Sequence, residues 1–167
     1  LSRLPHQIEY AVPSSNATKI KLEEHGFCTI DLNIAGTFDI YVDGADEATK
    51  FGYLIKGGGG ALTQEKILAS VSKKFICIID KTKFVGNLGQ FPLPIEVIPI
   101  ARSSVARKLV ELGGIPEWRT GFVTDNMNWI IDVKGLRILD CIDLESKINN
   151  IPGVVTNGIF ASDKADI

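Results

Sequence analysis

Three carboxylates crowd into Asp43-Gly44-Ala45-Asp46-Glu47, directly behind the apolar run Phe38-Asp39-Ile40-Tyr41-Val42. By itself such a segment suits a polar turn with surface acids. A magnesium site is a second reading, because carboxylates suit hard cations. Thirteen residues beyond Asp43 stands Lys56, followed by Gly57, Gly58, Gly59 and Gly60. Four consecutive glycines cost much conformational entropy. Bare backbone lets an anion approach the N–H groups closely, although a flexible loop would look the same. No Gly-Lys-Ser/Thr follows, so this is not a P-loop. Next comes Ala61-Leu62-Thr63-Gln64-Glu65-Lys66. Thr63 is the expected N-cap, which places Glu65 in a first helical turn, where the dipole favours a negative charge. An ordinary first-turn glutamate would sit there too. Beside the glycine loop and the aspartates, Glu65 becomes a candidate base. Moving a proton between adjacent sugar carbons needs a carboxylate base, worth about 10²–10⁴-fold. It also needs a cation or N–H donors for the enediolate oxygen. Residues 43–65 offer both.

Alternating strands and helices must position these groups. Ile8–Val12 is a short apolar strand closed by Pro13, and Ser14 and Ser15 can cap the following helix, which Gly26 is placed to end. Phe38–Val42 is a strand. Phe75-Ile76-Cys77-Ile78-Ile79 is nearly all apolar, as suits a strand covered on both faces. A helix near Thr63–Lys73 lies between them, with Ile67, Leu68 and Val71 on one side. Strand–helix–strand order implies a parallel sheet with helices on its faces. Ligands bind beyond the carboxyl ends of such strands, the edge that Asp43 would share with Asp80, Lys81 and Lys83.

Phe91-Pro92-Leu93-Pro94 suits a linker. Beyond it come a strand at Ile95–Ile98, a helix with Val105, Leu109 and Leu112 that Gly113-Gly114 ends, and strands at Pro116–Arg119 and Trp129–Val133. A second helix carries Leu144, Ile148 and Ile151, and a strand runs from Val154 to Phe160. This β-α-β-β-α-β order matches a ferredoxin-like α+β unit. The expected class is α/β: a Rossmann-like, mainly parallel sheet with helices on both faces, plus the smaller unit. The expected division is 1–91, with 161–167 returning, and 92–160.

Composition narrows the function classes. The chain is 45% hydrophobic and 23% charged, rich enough for a core, with net charge −2 and no basic run to attract nucleic acid. No apolar run approaches the roughly 18 residues that cross a bilayer. Cys28, Cys77 and Cys141 are far apart, in apolar surroundings and outside any metal-ligand spacing, which suits buried free thiols in a reducing cytoplasm. His6 and His25 are expected at the surface.

The segments Asp43–Glu47, Lys56–Gly59 and Ala61–Lys66 resemble the signature of type A ribose-5-phosphate isomerase. The likeness continues through Lys73–Asp80, Lys83, Phe91–Pro99, Thr124-Asp125-Asn126 and Ile151–Val155. The resemblance implies interconversion of ribose 5-phosphate and ribulose 5-phosphate in the pentose phosphate pathway, without metal or organic cofactor. It implies Glu65 as the base moving a proton between C2 and C1, and Asp43 and Asp46 at the sugar oxygens, including ring opening. Lys56 would stabilise the enediolate with backbone N–H groups of Gly57, Gly58 and Gly59, while Gly44 and Ala45 would line the substrate site. Lys83 would contact the substrate near its phosphate. A homodimer or homotetramer in the cytoplasm is the corresponding expectation. The family also has an earlier strand, a Gly-Thr-Gly-Ser-Thr phosphate loop and final strands that this sequence lacks. The chain is therefore expected to be a piece cut at both ends that binds substrate poorly alone. Residue 60 is Gly where many members have Ala, and residue 64 is Gln where many have Arg. Sugar-phosphate sensors and coenzyme A transferases have related folds. A sensor needs no base, and the transferases need a coenzyme-binding domain.

Overall fold

The structure, a computed structural model, describes residues 8–167. The expectation for His6 lies outside them. His25 is exposed, its Nδ1 2.7 Å from the Lys21 carbonyl.

Instead of a strand at Ile8–Val12, the structure has one parallel bridge, Ala11 to Thr29. Helix α1 (Asn16–Glu24) starts at Ser15, whose side chain accepts from the Thr18 N–H at 3.0 Å. Gly26 follows it at φ +79°, the left-handed geometry that closes a helix. The short α2 (Leu32–Ala35) precedes β1 (Phe38–Asp43), β2 (Glu47–Ala48) and β3 (Leu54–Ile55). Helix α3 (Leu62–Val71) runs into β4 (Ser72–Cys77) without a loop, because Ser72 is already extended. Lys73 is therefore a strand residue, not a helical one. β1 and β4 are parallel, with Asp43 opposite Cys77. Tyr41 and Phe75 stack at 4.8 Å beneath Leu68 and Ala69 of α3. Ile40 and Val42, alternating to the other side, are exposed, as are Ile67 and Ile78.

The second unit comprises β5 (Leu93–Val97), α4 (Arg102–Glu111), β6 (Ile115–Trp118), β7 (Trp129–Lys134), α5 (Cys141–Asn149) and β8 (Val154–Asn157). Its antiparallel order is β6-β7-β5-β8, over a core that includes Ile95, Val105, Leu109, Ile131 and Ile148. The chain is thus mixed α/β, a parallel pair with helices joined to an α+β sheet.

Three expectations need correction here. Leu93 and Pro94 are not linker but the buried start of β5, where the Pro94 carbonyl accepts from the Gly158 N–H at 2.8 Å. Proline is tolerated at a strand start, where its missing donor matters least. The expected strand Val154–Phe160 is two strands, since Gly158 hands the chain from β8 to β9 (Ile159–Phe160), antiparallel to β3. No side chain fits there, because an added Cβ would lie 2.3 Å from the Lys56 carbonyl oxygen. All three cysteines are free, but Cys28 is exposed and the others half-buried. Alternation beside the Ala11–Thr29 bridge turns Phe27 inward and Cys28 outward.

Candidate active site

Asp43 closes β1 at the carboxyl edge of the parallel pair. Lys56 follows β3, its backbone N–H bonded to the Gly158 carbonyl at 2.9 Å. Its side chain is buried. Nζ donates to Asp43 Oδ2 at 3.0 Å and to the Gly44 carbonyl, and lies 3.6 Å from Glu65 Oε1. Glu65 occupies the first turn of α3, and its Oε2 is buried without a hydrogen-bond partner. Asp46 Oδ2 accepts from the Gly58 N–H at 2.8 Å, tying the acidic loop to the glycine loop. Residues 43–46, 56–59 and Glu65 line one cavity of about 240 Å³. Lys83 sits apart from that lining, in the 3₁₀ turn Lys81–Lys83 that Asp80 caps.

The two carboxylates beside Lys56 are differently treated. Burial opposes the charge of Asp43, yet Lys56, the Tyr41 hydroxyl and the Gly44 N–H outweigh it and hold the carboxyl below its ordinary range. Burial pushes Glu65 up to about 7, with Lys56 holding it back and Asp43 and Asp46 adding to the rise. A base with that affinity is matched to neutral pH.

Glu47 does not join this group. It is buried pointing elsewhere, accepting from the N–H groups of Gly89 at 2.7 Å and Phe91 at 2.5 Å. Glu47 opens β2, whereas Asp46 lies in the loop before it. Thr63 is not the cap of α3. Ala61 is, with no side-chain bond, and the Thr63 hydroxyl instead reaches Glu96 on β5.

Two supporting residues escaped the sequence. Tyr41 donates its hydroxyl to Asp43 Oδ2 at 2.5 Å. Its position two residues before Asp43 on a strand was a usable signal, since the two share a face. Arg119, from the α+β unit, donates to the Gly58 carbonyl at 3.1 Å and is held by a two-pronged pair with Asp132. It lies more than 60 residues away in sequence, and no local pattern points to it. From the same side Phe122 packs where a Cβ on Gly60 would lie 2.2 Å from its ring, so Gly60 makes room for it. Among the described residues, no three His, Cys, Asp or Glu side chains converge as a metal site.

Residues 10–167 match the model of the family ribose 5-phosphate isomerase A (phosphoriboisomerase A). The chain belongs to that family. It is similar to the solved ribose 5-phosphate isomerase A of Neisseria gonorrhoeae, at 46% identity and TM-score 0.97 over 99% of this chain and 74% of that one. The Methanocaldococcus jannaschii enzyme is 42% identical, with TM-score 0.92 over 99% of this chain and 77% of the other. A third D-ribose-5-phosphate isomerase, solved in complex with phospho-erythronic acid, is 42% identical with TM-score 0.89, over 93% and 70%. As a ribose 5-phosphate isomerase A, the chain is an aldose–ketose isomerase that interconverts ribose 5-phosphate and ribulose 5-phosphate.

Proposed function

We propose that Glu65 is the base of this isomerisation. The observation that carries it is a buried carboxylate oxygen with no partner, on a residue lining the cavity within 3.6 Å of the Lys56 ammonium. From the open-chain aldose, Glu65 takes the C2 proton, and the electron pair of that C–H bond forms the C1–C2 double bond. The C1 carbonyl pair moves onto O1. Lys56 stabilises that oxyanion. Of the glycine loop, Gly57 and Gly59 are the N–H donors for it, because Gly58 is committed to Asp46 and Gly60 to the Gly57 carbonyl. Glu65 returns the proton to C1, while the O2 proton leaves and O1 is protonated. Asp43 and Asp46 handle those oxygens and ring opening, with Gly44 and Ala45 lining the site. Lys83 contacts the phosphate, a role supported by its charge and its place just past β4. The known complex of a relative with phospho-erythronic acid supports a phosphorylated sugar acid, an enediolate-like shape, as a ligand of this cavity.

The organisation behind this is a catalytic unit of residues 1–91, with 161–167 returning, and an α+β unit of 92–160. The β5-β8 sheet lying wholly within the second range supports that division. Cytoplasmic residence is supported by three free cysteines, which suit a reducing compartment. Assembly as a homodimer or homotetramer follows the family resemblance and is read out by sedimentation.

The test is incubation of the full-length protein with ribose 5-phosphate in heavy water, followed by NMR. Ketose formation with deuterium at the exchanging carbon is expected. Glu65→Gln is expected to lose about 10²–10⁴-fold in turnover, the usual worth of a positioned base. Normal turnover in that variant sinks Glu65 as the base without touching the family.

A further inference from the structure

The site holds two carboxylates around one ammonium, and their hydrogen bonding is unequal. Asp43 is saturated. Oδ2 accepts from Tyr41 at 2.5 Å and Lys56 at 3.0 Å, and Oδ1 accepts from the Gly44 N–H at 2.8 Å. Glu65 has only the longer 3.6 Å approach of Lys56 on one oxygen and no donor on the other, and its contact with the Asp43 carboxyl raises its proton affinity further. Only one side-chain donor on Asp43 is not shared with Glu65, and that is Tyr41.

Tyr41 is buried, stacked on Phe75, and absent from the cavity lining. It therefore acts on substrate through another group. Its hydroxyl cannot readily ionise, since burial and then the charges of Asp43 and Glu65 drive its pKa upward. It is a permanent donor.

We propose that Tyr41 is a positioning residue that keeps Asp43 ionised and aimed, so that the proton moved in the reaction resides on Glu65 and not on its neighbour. This rests on the placement of Asp43 in the catalytic site proposed above. The groups acting on Asp43 come from every side. Tyr41 shares its strand, Lys56 follows β3, Glu65 lies on α3 and Cys77 on β4, while Asp46 in the adjoining loop acts on Glu65. Burial pushes the Cys77 thiol up, so it remains neutral and does not compete for the proton.

Two ionised carboxylates give a profile of kcat/KM that falls with unit slope below the higher pKa and with slope two once Asp43 is also protonated. Removing a hydrogen bond to a charged carboxylate raises its pKa by roughly one unit. Tyr41→Phe is therefore expected to move the second break up by about one pH unit. At neutral pH Asp43 stays ionised in either case, and the loss of its aim should lower turnover on the order of tenfold, with KM within about twofold because the substrate contacts are untouched. Incorporating 3-fluorotyrosine at position 41, a stronger donor of nearly the same shape, should move the second break down, which keeps the test open if the phenylalanine variant folds poorly. Wild-type turnover with both breaks unmoved overturns the proposal. So does a uniform fall in turnover with unmoved breaks, the mark of a merely structural role. Asp43→Asn separates the two levels. An inactive Asp43→Asn beside a normal Tyr41→Phe removes Tyr41 alone, and a fully active Asp43→Asn removes the site assignment together with it.

Discussion

At the residue scale, burial raises the Glu65 pKa to about 7, and that has consequences of definite sign. As the proposed base, Glu65 could accept the C2 proton only in its ionised form. With its pKa raised to about 7, kcat/KM should fall about tenfold per pH unit below that value. Lys56 opposes the rise, so Lys56→Met should move this acid limb upward as well as weaken catalysis. The limb is read from initial rates across pH 5–9. The same shift acts on stability. A carboxyl whose folded pKa exceeds its ordinary 4.5 binds protons better when folded. Its favourable contribution is complete below 4.5 and is lost as pH rises through about 7. Glu65→Gln, which carries no charge to bury, should therefore gain on wild type at pH 8, on the order of 1–3 kcal/mol, with the gain vanishing toward pH 4. Denaturant melts at the two pH values measure it. The unpartnered oxygen that suits Glu65 to the proposed role is a cost to the fold.

Elements decide which of the clustered acids reach the cavity. Asp43, Asp46 and Glu47 look alike in the sequence, yet β2 turns Glu47 away to hold the N–H groups of Gly89 and Phe91. Glu47→Ala should strand two backbone donors and cost about 2–4 kcal/mol, since each buried unpaired group costs roughly 1–3. Glu47→Gln, keeping one acceptor, should cost less, and urea unfolding of the pair checks both. Features with local causes were legible beforehand. The Ser15 cap, the Gly26 stop and the β-α-β-β-α-β order all follow from neighbouring residues. Features set by distant packing were not. Thr63 looked like a cap, but Glu96, 33 residues on, claims its hydroxyl. Val154–Phe160 looked continuous, but the Lys56 backbone lies so close to residue 158 that only glycine fits and the strand must divide. Leu93-Pro94 carried loop chemistry and still became core, because burial on both faces of β5 outweighs the missing proline N–H.

Across the whole molecule, helix α3, which carries Glu65, is fastened by the four-stranded sheet and its helix. Thr63 near its start bonds Glu96 of β5, which also takes hydrogen bonds from Thr124, Asn126 and Asn128. One turn on, Lys66 meets Glu145 of α5 at 2.6 Å and the Ile159 carbonyl at 2.6 Å. Glu145 accepts in addition from the N–H groups of Ala161 and Ser162, where the chain returns to β3's side. Glu65 lies between these two fastenings. Burial pulls the Lys66 ammonium below its ordinary range and Glu145 restores part of it, as expected of a pair whose partners depend on each other. Lys66→Met should leave a buried carboxylate short of its cation and cost about 3–5 kcal/mol, while adding Glu145→Leu should recover part of that loss. The readout also tests whether the units unfold together. Trp118 and Trp129 both lie in the four-stranded sheet, so their fluorescence follows the α+β unit, while far-ultraviolet circular dichroism follows all the helices. With α3 fastened twice to that sheet and its helix, Lys66→Met should lower both midpoints equally, in one transition. A tryptophan transition that stayed at its wild-type midpoint while the dichroism moved would mean that the buried pair steadies α3 alone, and that the two units melt separately.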